Sequence, residues 1–73
     1  MPLIRLYEVK VTVTKPGSEP IADTVYIHLV RHLFSEPYPY TKTATRRAIA
    51  KAQRRWYRCG VTSDYLDTRL IEG

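Results

Sequence analysis

The fold is organised around residues 3–14, whose sequence is LIRLYEVKVTVT. Within this stretch Tyr7, Val9, Val11 and Val13 alternate with charged residues and threonines. A period of two, with β-branched and aromatic residues on one side, is typical of a strand that buries one face. Because this alternation is the most regular in the chain, it predicts a strand at the centre of a sheet.

A second strand is predicted after a turn. Residues 15–20, KPGSEP, contain two prolines and a glycine, which end the first strand. Residues 22–34 are rich in β-branched and aromatic residues, and every second residue over Val25–Leu29 is aliphatic. The two strands predict an antiparallel hairpin, whose loop is too long for a two-residue turn. A short helix over residues 27–34 is the alternative interpretation of this segment.

One helix is predicted after a proline-rich connector. Residues 35–40, SEPYPY, favour polyproline-like geometry, because each proline biases the preceding residue towards an extended conformation. Thr41 or Thr43 can then cap a helix with its hydroxyl. Residues 43–59 lack proline and glycine and are rich in good helix formers. Gly60 follows at the position where a left-handed residue often ends a helix.

The order of elements predicts an α+β fold. Residues 64–72 are expected to form a last strand, which completes a ββαβ arrangement. If this strand lies beside the first, the sheet order is 2-1-3 and the central strand is antiparallel to both neighbours. We therefore expect a three-stranded, mainly antiparallel sheet covered on one face by a single helix. A chain of 73 residues has room for one small domain, residues 1–73.

The charges are distributed unevenly along the chain. Twelve Lys and Arg against seven Asp and Glu give a net charge of +5 and an isoelectric point near 9.7. Residues 37–63 hold seven basic groups and no acid, whereas the remainder holds five basic and seven acidic groups. This polarity favours a polyanionic partner, either nucleic acid or an acidic protein surface.

The predicted helix has an apolar side. Successive helical residues rotate by about 100°, which brings Ala44, Ala48, Ala52 and Trp56 together on a core-facing side. We expect Trp56 to be the main anchor of this side on the sheet. Cys59 falls on the same side, so we expect a buried and unreactive thiol.

The other side of the predicted helix is basic. Arg47, Lys51, Arg54 and Arg58 follow one another at i, i+4, i+7 and i+11 without an acidic residue between them. Arginine offers phosphate a planar, bidentate fork, so the pattern predicts a polyanion-binding surface. The alternative is a solvated face that only keeps the protein soluble. The predicted binding residues are Arg46, Arg47, Lys51, Arg54, Arg55 and Arg58.

Three tyrosines are candidate interface residues. Tyr38 and Tyr40 lie in the proline-rich connector, and Tyr57 lies beside the basic stripe. Tyrosine is frequent in protein interfaces because it joins a large apolar ring to a polar tip. The alternative for the two connector tyrosines is that they pack over the start of the helix.

No spacing of nucleophiles, acids or histidines matches a catalytic or metal site. The only histidines, His28 and His32, have no neighbouring cysteine or carboxylate cluster. No phosphate-binding glycine loop or catalytic triad pattern is present. We therefore predict that the protein is not an enzyme and has no catalytic residue, metal or cofactor.

The remaining features bound the location and the class of function. A single cysteine, Cys59, excludes an internal disulfide and suits a reducing cytoplasm. No apolar run approaches 18 residues, so no membrane partner is expected. We expect a small cytoplasmic binding module that contacts nucleic-acid phosphates through its arginine-rich helix. The alternatives are an accessory or inhibitory module, as in mobile genetic elements, docked on an acidic partner, and a homodimer that pairs sheet edges or open faces.

Overall fold

The computed structural model describes residues 4–30, 39–63 and 65–72 of the chain. Its first elements are β1 (Ile4–Thr14) and β2 (Ile21–Val30), which pair antiparallel along β1 from Ile4 to Val13. Both predicted strands are confirmed. The alternative helix is wrong as far as Val30, and the rest of that segment lies outside the described residues.

Helix α1 spans Tyr40–Arg55 and is followed by β3 (Gly60–Thr62) and β4 (Thr68–Glu72). A 3₁₀ turn, Tyr65–Asp67, precedes β4. The predicted last strand of residues 64–72 corresponds to β4, which begins only at Thr68, and β3 is a strand that was not predicted. Between β3 and β4, the Ser63 hydroxyl donates to the carbonyl of Lys10 at 2.7 Å, so a side chain satisfies a β1 acceptor between the two pairings.

Strand β1 is the centre of the sheet. It pairs with β2 along one side and with both β3 and β4 along the other. All three pairings are antiparallel, and the β4 pairing contains an irregularity between Leu6 and Tyr7. The predicted α+β class and the predicted strand order, 2-1-3, are thus confirmed, and the sheet contains one strand more than predicted.

The core lies between one face of the sheet and α1. The helix contributes small buried side chains, Ala44, Ala48 and Ala52, which allow its backbone to come close to the strands. Buried Thr45 bonds the carbonyl of Thr41 at 2.9 Å and shares a second hydrogen bond with the Thr68 hydroxyl. The buried strand residues are Tyr7, Val9, Val11, Val13, Val25, Ile27, Leu29 and Val61.

The start of α1 differs from the prediction. The helix begins at Tyr40, after Pro39, and no side chain caps it. The Pro39 carbonyl accepts the first helical N–H, from Thr43, at 3.0 Å. Neither predicted cap, Thr41 or Thr43, has that role, because both residues already lie inside the helix.

The end of α1 also differs. The helix ends at Arg55, and Trp56 leaves helical geometry with φ −109° and ψ 61°. The left-handed residue is Arg58, with φ 68°, whereas Gly60 is the first residue of β3 and lies opposite Thr14. The prediction that Gly60 is the left-handed residue that ends the helix is wrong. The left-handed turn occurs two residues earlier, at Arg58, and Gly60 already pairs with β1.

Candidate nucleic-acid interface

Three arginines of α1 form what we call the basic surface: Arg46, Arg47 and Arg54. All three are exposed, whereas the alanines of the same helix pack on the sheet. Among residues 4–30, 39–63 and 65–72, no acidic side chain forms an ion pair with any of them. No acidic side chain of the described residues therefore balances these three charges.

Lys51 lies between the basic surface and the sheet. Its side chain is exposed, and its ammonium donates to the carbonyl of Tyr26 in β2 at 3.4 Å. A hydrogen bond of this length is weak. Lys51 therefore lies on the side of α1 that faces β2. Its exposed ammonium remains accessible to a polyanion.

Arg55 has a protein partner, unlike the basic surface. Its guanidinium forms an ion pair with Asp23 at 3.0 Å. The sequence patterns do not indicate this pair, because Asp23 is 32 positions away along the chain and no local pattern connects the two residues. Arg55 remains a predicted polyanion contact, but its charge is already balanced by the fold.

Asp23 joins the start of β2 to the end of α1. Besides Arg55, it accepts the indole N–H of Trp56 at 2.8 Å and the backbone N–H of Thr24 at 2.8 Å. The Trp56 hydrogen bond is the main cause that lowers the pKa of Asp23 below its ordinary value of 3.8. Burial opposes this shift, and the bonds from Thr24 and Arg55 add to it. The carboxylate is therefore ionised at neutral pH.

Trp56 packs against the core, as predicted, although it is half-buried. The ammonium of Lys15 lies 5.8 Å from the centroid of its ring, at the edge of cation–π range. Both contacts of the indole, with Asp23 and with Lys15, are intramolecular. Trp56 thus anchors the helix end to the sheet.

Arg58 does not extend the helical stripe. It follows the end of α1, has a left-handed backbone, and places its guanidinium 5.4 Å from the ring centroid of Tyr57. The prediction of a continuous helical row from Arg47 to Arg58 is therefore wrong at its last member. Both Arg58 and Tyr57 are exposed, the latter at 76%, and they form a separate pair beyond the helix.

The other candidate tyrosines have different surroundings. Tyr40 is half-buried against the core, and the Arg5 guanidinium lies 4.3 Å from its ring centroid. This position agrees with the alternative in which the tyrosine packs over the start of the helix. Tyr38 lies outside the described residues.

The remaining chemistry-bearing residues do not assemble. His28 is exposed on β2, Cys59 is half-buried against the core, and His32 lies outside the described residues. In the described parts of the chain, no group of three or more His, Cys, Asp or Glu could hold a metal ion. No described helix is long and apolar enough to cross a membrane.

Comparison with protein-family models, with curated proteins and with solved structures found no match for this chain. The feature with the most definite chemistry is the basic surface of α1.

Proposed function

We propose that this protein is a small binding module that holds nucleic acid through α1, mainly by phosphate contacts and without strong sequence preference. The observation that carries the proposal is the exposure of Arg46, Arg47 and Arg54 without an acidic partner among the described residues. Guanidinium groups bind phosphate oxygens bidentately. The single free cysteine, Cys59, suits a reducing compartment, and we place the protein in the cytoplasm.

The energetics of the helix also support a ligand. Arg47 and Lys51 are like charges at i and i+4, which destabilise a helix by about 0.2–0.5 kcal/mol. The fold gains nothing from this repulsion, since α1 is held by its alanine side. A polyanion would relieve it. The rise from Arg47 to Arg54 is about 10 Å, over which a nucleic-acid strand presents several phosphates.

The proposal is tested by titrating the protein into a short fluorescent duplex and a single strand of equal length, followed by polarisation. We expect binding that weakens between about 50 and 200 mM salt, with a log–log slope near −0.9 per phosphate contacted on the duplex. Absence of binding to both probes at about 50 mM salt would overturn the proposal. The basic surface would then be better explained by an acidic protein partner.

A charge-matched pair of variants locates the site. Arg54→Glu and Lys10→Glu change the net charge equally, and both residues are exposed, but Lys10 lies on the face of β1 away from α1. We expect Arg54→Glu to weaken duplex binding and to reduce the salt slope by about 1. Lys10→Glu should stay close to wild type on the duplex. Equal losses would mean that net charge, rather than the basic surface, attracts the ligand.

A further inference from the structure

Helix α1 packs on one face of the sheet, and its Lys51 and Arg55 side chains reach β2. Among the described residues β2 pairs only with β1, so its other edge is open. The Tyr26 carbonyl points out of this edge, where it accepts the Lys51 ammonium at 3.4 Å. The outward N–H of Thr24 is satisfied by Asp23 of the same strand at 2.8 Å. The open edge is therefore bordered by helix cations rather than by another strand.

The direction of α1 places a further cation beside β2. Lys51 contacts Tyr26 while Arg55 contacts Asp23, so α1 runs antiparallel to β2. Arg47 precedes Lys51 by one turn, or about 6 Å along the axis. This distance corresponds to about two strand residues, so Arg47 is placed beside the part of β2 that contains His28.

The other side of the same edge carries an exposed aromatic ring. Val25 and Ile27 are buried towards α1, so Tyr26 between them lies on the opposite face of the sheet, where it is 47% exposed. Its hydroxyl donates to Glu8 at 3.4 Å, and Arg69 forms an ion pair with the same carboxylate at 3.5 Å. Arg69 thus balances the acid nearest to the ring.

We propose that the ligand is a single-stranded nucleic acid that crosses the open edge of β2, with its phosphates on the α1 cations and a base stacked on Tyr26. The inference rests on the proposed function and specifies its substrate. Arg47, Lys51 and Arg54 supply the phosphate contacts. Lys51 lies where the nucleic acid passes from α1 around the edge of β2 to the opposite face of the sheet.

The geometry favours a single strand over a duplex. The cations and the ring lie on opposite sides of one strand edge, so a ligand that contacts both must bend around that edge. A duplex is stiff over this distance and keeps its bases stacked inside. A single strand bends freely and exposes base faces, which stack on aromatic rings irrespective of sequence.

The test compares Tyr26→Ala with two matched variants, by polarisation of fluorescent oligothymidine, oligouridine and a duplex. Tyr26→Phe keeps the ring and loses only the bond to Glu8. Tyr57→Ala removes the more exposed tyrosine, which lies beyond the helix end. Circular dichroism checks that each variant is folded, and the duplex serves as an internal control within each variant.

We expect Tyr26→Ala to weaken single-strand binding by roughly 5- to 150-fold, which corresponds to one stacked base. Its duplex affinity should not change, and both Tyr26→Phe and Tyr57→Ala should bind single strands like wild type. Wild-type single-strand affinity in Tyr26→Ala, or tighter wild-type binding to the duplex, would overturn the inference and leave the proposed function standing. Failure of the wild type to bind any probe would overturn both.

Discussion

At the scale of single residues, Asp23 is the most heavily bonded charged group that the structure describes. Its ion pair with Arg55 is partly open to solvent, since the two side chains are 21% and 50% exposed, and such pairs contribute little. The hydrogen bond from the Trp56 indole is the more important contact, because the indole packs against the core. A hydrogen bond to a charged group contributes about 1.5–3 kcal/mol.

This arrangement predicts a pH dependence of stability. Because the pKa of Asp23 is lowered from 3.8, the ionised carboxylate stabilises the fold above that pH, and the contribution is lost as the pH falls through the lowered pKa. Asp23→Asn should therefore be less stable than wild type at neutral pH, and the difference should shrink in acid. Urea unfolding of both proteins at about pH 7 and about pH 3 measures this. A difference that stays constant would contradict the assigned role.

At the scale of elements, the turn between α1 and β3 contains backbone strain. Arg58 has φ 68°, a region that costs a residue with a side chain about 1–2 kcal/mol. Gly60, two residues later, has no such φ, and a Cβ added there would lie 3.7 Å from Cβ of Thr14, an ordinary contact distance. The left-handed conformation, which favours glycine, is thus adopted by Arg58 and not by Gly60.

A pair of substitutions tests this assignment. Arg58→Gly should raise the free energy of unfolding by up to about 1 kcal/mol, because the backbone strain that it relieves exceeds the extra conformational entropy that a glycine loses on folding. Gly60→Ala should be neutral or slightly stabilising, since the space around Gly60 accepts a methyl group. Urea unfolding measures both. Destabilisation by Gly60→Ala together with no effect of Arg58→Gly would restore Gly60 as the helix-ending residue.

At the scale of the whole molecule, the basic surface of α1 and the open edge of β2 are neighbours. An open strand edge invites pairing with a second chain, and a lysine placed across it opposes such pairing. Lys51 occupies this position through its contact with the Tyr26 carbonyl. We therefore expect Lys51 to hinder edge-to-edge association, besides contributing charge to the proposed ligand site.

We expect the isolated protein to be monomeric for this reason. Light scattering coupled to size-exclusion chromatography should give the mass of one chain, 8.5 kDa, for wild type. Lys51→Ala should increase self-association, because it opens the edge to strand pairing. A stable wild-type dimer that is unaffected by Lys51→Ala would show that association uses another surface.

Local periodicity in the sequence is enough to predict the features of the fold that depend on regular side-chain direction. Alternation places Val9, Val11 and Val13 in the core, and it identifies β1 as the central strand. The helical period separates the alanines from the arginines of α1, because side-chain direction in a regular element follows from position alone. These patterns were enough to predict the α+β class and the sheet order.

Features that depend on contacts between distant residues emerge only in the folded protein. Asp23 pairs with Arg55 and Trp56 across more than thirty positions, and neither strand nor helix periodicity contains that contact. The early end of α1, the left-handed Arg58 and the additional strand β3 all follow from how the chain returns to β1. The position of Tyr26 across an edge from Lys51 has the same origin, because it is set by the packing of α1 on the sheet.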